Sequence, residues 1–146
     1  MQTRLNYREV QPQALQVMMK MEGFIQNCGL DKKLYELIKI RASQINGCAF
    51  CLNMHTADAR SMGETEQRLY LLSAWREAPF YTEAEQAVLA LTEAVTLISK
   101  EGVSQELYEK VREHFDESEF VNLIMAINTI NSWNRIAIST GMFPTT

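Results

Sequence analysis

The segment from Thr82 to Ile98 constrains the fold more than any other. Thr82 and Glu85 stand three positions apart, the spacing of a capping box. Behind them Ala84, Ala87, Val88, Leu91, Ala94, Val95 and Ile98 recur with a period near 3.6 residues. Side chains of a strand alternate with a period of two, so this stripe belongs to a helix. The same logic extends along the chain. Pro12 opens a helix running to Cys28, and Gly29 stops it. Asp31 caps a second helix, with Leu34, Leu37, Ile38, Ala42 and Ile45 on one stripe and Asn46-Gly47 at its end. A third helix begins at or near Cys48 and stops near Gly63, and a short fourth carries Leu69, Leu72 and Trp75. A loop forms around Pro79, and the helix with the capping box runs on to Gly102. Ser104 caps another helix through Leu107 and Val111, and Asp116 with Glu119 caps the last, which reaches about Ser139. No clear period-2 stretch occurs. The expectation is an all-α bundle of six to seven helices, forming one domain over residues 1–146.

In the last helix Phe120, Val121, Leu123, Ile124, Met125, Ala126 and Ile127 leave almost no polar face. Such a helix is buried on most sides, at the centre of the domain or between subunits, and a homo-oligomer is expected. Asn122, Asn128, Asn131, Asn134 and Arg135 make it too polar for an unaided membrane span. A net charge of −4 gives no basic face for nucleic acid, and Lys32-Lys33 is the densest basic pair. The N-terminal stretch lacks an apolar signal core, which makes a cytoplasmic location the expectation. Three cysteines in 146 residues do not make a disulfide framework. In a reducing compartment a close pair is more often catalytic or metal-binding than structural.

That pair is Cys48 and Cys51, in "INGCAFCLNMH". At 100° per residue Cys48, Cys51 and His55 fall within roughly a 60° arc of one helix face. Glu36, on the preceding helix, can oppose them across the short Asn46-Gly47 link. A thiol at a helix N-terminus meets unpaired N–H groups and the positive end of the dipole, which favour its thiolate. His55 can accept a cysteine's proton, and Glu36 can orient and stabilise the imidazole. Such a set suits peroxide reduction through a sulfenic acid and an internal disulfide. Two other readings stay open. Cys48, Cys51, His55 and Glu36 are also four plausible zinc ligands of a non-catalytic interaction module, although no second CxxC or HxxxH exists. The thiols could also be inert buried side chains. Covalent haem is excluded because Leu52, not histidine, follows the second cysteine.

The spacing of Glu36, Cys48, Cys51 and His55 resembles the E…CxxCxxxH signature of the alkylhydroperoxidase D (AhpD)-like, carboxymuconolactone decarboxylase superfamily. The stretches "INGCAFCLNMHTADAR", "LYLLSAWREAPFYTEAE" and "INSWNRIAI" are similar to its peroxidase-type members, over roughly residues 15–140. The resemblance implies an all-α fold assembling as homo-trimers or homo-hexamers, and a thiol-dependent peroxidase with no metal and no cofactor. It implies that Cys51 attacks the peroxide, that Cys48 resolves the sulfenic acid, and that His55 and Glu36 form the proton relay. The reductant would be a dithiol or a protein, and the substrate hydrogen peroxide or a small organic hydroperoxide. Well-studied members carry a second histidine between the cysteines, where this chain has Ala49 and Phe50. Decarboxylase members lack the CxxC pair, which weighs against lactone decarboxylation; a lactone or carbon-acid enzyme, with His55 or Glu36 as the base and the thiols incidental, is the alternative.

The remaining chemistry-bearing residues read as structural. Cys28 is expected as a small buried residue at a helix end, and His114 as a surface histidine near a helix C-terminus. Trp75 and Trp133 are expected as packing anchors, and Arg41 as a partner for a carboxylate on a neighbouring helix. Phe50 and Met54 line the approach to the thiols or pack on a neighbouring subunit. Arg60 falls on the opposite face from Cys51.

Overall fold

A computed structural model describes residues 1–146. The chain is all-helical, in the order α1 (Tyr7–Val10), α2 (Pro12–Asn27), α3 (Lys32–Asn46), α4 (Ala49–Ser61), α5 (Glu66–Tyr70), a 3-10 helix (Leu72–Glu77), α6 (Glu83–Thr96), α7 (Gln105–Arg112) and α8 (Glu117–Thr140). The starts follow the caps. Asp31 accepts from the Leu34 N–H and Ser104 from that of Leu107. Thr82 with Glu85, and Asp116 with Glu119, form complete capping boxes.

Helix α3 is the centre of the molecule, packed against α4, α6 and α8. Tyr35, Ile38 and Ala42 enter one core with Ile25, Val88, Leu91, Leu123 and Ile127. Leu37 and Ile40 enter a second with Leu69, Leu72, Trp75 and Leu89. Truncating a side chain such as Leu37, fully enclosed in this way, to alanine costs about 2–5 kcal/mol. Glu36, Lys39 and Ser43 are buried on the same helix and take their partners from within the protein.

Two expectations are corrected. Nine helical segments replace six to seven. Asn6 caps the extra short α1, and a non-helical Ala74 (φ −121°, ψ 32°) kinks the 3-10 helix from within. The α6 stripe ends at Thr96, because Leu97 leaves helical geometry (φ −104°, ψ 42°), and Ile98 is exposed. The most enclosed helix is α3, while Val121 and Ile138 of α8 face outward at 57% and 43% exposure. No helix is long and apolar enough to cross a membrane.

The turn between α3 and α4 positions the thiols. Gly47 takes a left-handed conformation (φ 71°, ψ 36°), which lets the chain reverse within two residues. Both Gly47 and Cys48 donate their N–H groups back to the Ser43 carbonyl. Asn46 donates to Asn131 Oδ1 (3.0 Å) and Asn134 Oδ1 (2.9 Å) on α8, and Asn134 donates to Ser43 Oγ (3.0 Å). The asparagines that made α8 too polar for a membrane thus fasten the turn to the core.

Candidate active site

Cys48 is the N-cap of α4, with extended backbone (φ −89°, ψ 94°), and its sulfur accepts from the Cys51 N–H at 3.3 Å. An N-cap side chain satisfies a helix-end N–H that has no backbone partner. Three-residue spacing across the first turn leaves the two Cα atoms 5.3 Å apart, and the sulfurs are bonded as a disulfide. Both cysteines are almost fully enclosed. They pack with Ala137 of α8, and Phe50 and Met142 close around them.

One turn beyond Cys51, His55 is buried and faces α3. Its Nδ1 lies 3.3 Å from Glu36 Oε2 and 3.7 Å from Asp58 Oδ2. The ring N–H is not aligned on the Glu36 oxygen, yet neither Nδ1 nor Oε2 has another hydrogen-bond partner. The two atoms are each other's nearest charged or polar partner and form a pair. The other oxygen, Oε1, accepts from Lys39 Nζ at 2.7 Å. Burial pushes the Glu36 carboxyl up, but the His55 and Lys39 contacts outweigh it and hold it below the ordinary value. A buried carboxylate is therefore kept charged beside an imidazole that can receive a thiol proton. In this state the sulfurs bond each other, and neither is a thiolate donor for a metal.

The family described as carboxymuconolactone decarboxylase matches residues 12–94. The chain belongs to the carboxymuconolactone decarboxylase family. It is 52% identical to the uncharacterised protein YdfG of Bacillus subtilis, over 97% of this chain and 96% of the relative. It is 41% identical over 69 residues to the alkyl hydroperoxide reductase AhpD of Streptomyces coelicolor, a match spanning 45% of this chain and 39% of that protein. A crystal structure from Agrobacterium tumefaciens superposes with a TM-score of 0.95 at 43% identity, covering 99% of this chain and 100% of the other. That protein is described as of unknown function and as a candidate antioxidant defence protein AhpD. This carboxymuconolactone decarboxylase family member is thus AhpD-like, with peroxidase-related kin.

Within this family member the four residues singled out by spacing fall into two contacting pairs, Cys48 with Cys51 and Glu36 with His55. The pairs are joined by the helical turn from Cys51 to His55. Lys39 and Asp58 were missed. Each is three positions from a site residue, Glu36 or His55, so the i, i+3 spacing was a usable signal. A lysine amid an apolar stripe nonetheless reads as solvent-facing.

Arg41 meets Glu93 of α6 at 2.9 Å, and Trp75 and Arg76 donate to the same carboxylate. Trp133 donates to Glu22 of α2. Phe50 packs on the cysteines, whereas Met54 is exposed. Arg60 is engaged by the Glu64 carbonyl. His114 is exposed just beyond α7. Cys28 is only half-buried rather than enclosed, because it lies at the α2 C-terminus, where its sulfur donates to the Ile25 carbonyl.

Proposed function

We propose that the protein is a thiol-dependent peroxidase that reduces hydrogen peroxide or small organic hydroperoxides. The observation that carries this reading is the cysteine pair closed across the first turn of α4, one turn from an imidazole backed by a buried carboxylate. In the reduced protein His55 takes the Cys51 proton. The thiolate attacks the terminal peroxide oxygen, the O–O bond breaks, and the leaving alkoxide or hydroxide receives a proton. Cys51 is then a sulfenic acid. The Cys48 thiolate attacks its sulfur, a disulfide forms, and the hydroxyl departs as water with a proton. An external dithiol or protein reductant restores both thiols by exchange.

The two sulfurs receive different support. Cys48 has the N-cap position and the Cys51 N–H. Cys51 has His55 at i+4 on the same helix, the spacing at which helical side chains meet, and this favours Cys51 as the attacking sulfur. Enclosure of both thiols by Phe50, Ala137 and Met142 favours a small substrate. The single domain would act in the cytoplasm as a homo-trimer or homo-hexamer, with outward apolar side chains such as Val121 and Ile138 available to subunit contacts. Reduced protein mixed with one equivalent of peroxide should lose two thiols per chain. Retention of both thiols would refute the reading.

A further inference from the structure

Lys39 belongs to the residues lysine rarely joins: it is 7% exposed, in the most enclosed helix of the molecule. Its ammonium lies 2.7 Å from Glu36 Oε1 and 4.0 Å from the centre of the Tyr35 ring. Tyr35 is fixed in turn, its hydroxyl donating to both oxygens of Glu22 at 3.1 and 3.2 Å, where Trp133 Nε1 also donates at 2.8 Å. A line of contacts therefore runs from α8 through α2 to the Glu36 carboxylate. It seats a positive charge on the side of Glu36 that His55 does not use. A desolvated ammonium is costly to hold, and a methionine or leucine would fill the same apolar space without that cost.

We infer that Lys39 is a positioning residue for the thiol chemistry: it fixes the charge and orientation of Glu36, so that Oε2 always faces His55 as a carboxylate. This rests on the proposed relay. Burial by itself drives Glu36 toward its neutral acid, which would leave the imidazolium only the more distant, half-exposed Asp58 as counter-charge. The charged and titratable groups facing Glu36 are Lys39 and Tyr35 on its own helix and His55 and Asp58 on α4, with Glu22 of α2 behind the Tyr35 hydroxyl. Lys39 is the permanent cation in direct contact with the carboxylate.

The test follows the Glu36 carboxyl carbon by NMR against pH in the reduced full chain, with Glu36→Gln to assign the signal. Wild-type Glu36 should remain ionised to below its ordinary value of 4.5. Lys39→Met and Lys39→Gln should raise its midpoint by about 1–3 pH units, the effect of losing an adjacent opposite charge. Lys39→Arg should restore the wild-type titration. In parallel, the acid limb of peroxide-driven thiol loss should move up with the Glu36 midpoint in the neutral variants. A wild-type midpoint at or above the ordinary value would overturn the inference, whether or not the variants fold. So would a midpoint unmoved in a folded neutral variant. The titration uses no peroxide, so an inactive protein with the expected titration would refute the peroxidase reading and leave the role of Lys39 standing.

Discussion

Nδ1 of His55 and Oε2 of Glu36 face each other at 3.3 Å inside the protein, and neither has another hydrogen-bond partner. An orphaned buried donor and acceptor each cost about 1–3 kcal/mol. Closing this contact recovers that cost, so the fold favours an imidazole oriented with Nδ1 on the Glu36 carboxylate.

His55→Gln should therefore slow peroxide-driven disulfide formation by roughly 10²- to 10⁴-fold, the usual consequence of losing an acid–base group. The fold should survive, since glutamine can still meet Glu36. Stopped-flow rates on the reduced variant, with circular dichroism as the control for folding, check both expectations.

The two cysteines should be distinguishable by trapping. Cys48→Ser should accumulate a sulfenic acid on Cys51 that a dimedone-type probe captures. Cys51→Ser should consume no peroxide and yield no adduct. An adduct on Cys48 in the second variant would reverse the assignment of attacking and resolving sulfurs.

Phe50 packs over the disulfide. Phe50→Ala should widen access and raise the rate with a bulky aromatic hydroperoxide relative to hydrogen peroxide. The ratio of second-order rate constants for the two substrates is the readout, and an unchanged ratio would show that Phe50 does not limit entry.

Glu93 joins α3, α6 and the 3-10 helix by accepting from Arg41, Arg76 and Trp75. Burial raises its carboxyl, but these hydrogen bonds outweigh that and depress it below 4.5. A depressed carboxylate stabilises the fold above its unfolded-state value, and the contribution is lost as pH falls through the folded-state value. Glu93→Gln should cost about 1.5–3 kcal/mol at neutral pH, the range for hydrogen bonds to a charged group. The difference from wild type should shrink below pH 4.5. Urea unfolding at several pH values measures it.

Helix starts were legible because a side-chain oxygen and a backbone N–H three residues on are a local matter, as Asp31, Thr82, Ser104 and Asp116 show. The Cys48–Cys51 and Glu36–His55 neighbourhood was legible for a related reason: one short turn joins the two helices, so spacing nearly determines proximity. What escaped depends on tertiary context. Lys39 reads as a surface residue until the Tyr35 ring and Glu36 are seen to enclose it. The partners of Asn46 lie 85 and 88 positions away, beyond any local pattern. Periodicity carried α6 on to Ile98, but it could not register that the backbone turns at Leu97.

The central claim is that Cys51 and Cys48 together take two electrons' worth of oxidation from one peroxide. The most direct measurement mixes fully reduced protein with substoichiometric to equimolar hydrogen peroxide and counts thiols at each step. The account predicts a loss of two thiols per peroxide consumed, ending in a Cys48–Cys51 disulfide with Cys28 still free. Peroxide left unconsumed, or thiols lost from Cys28 while the pair stays reduced, would contradict it.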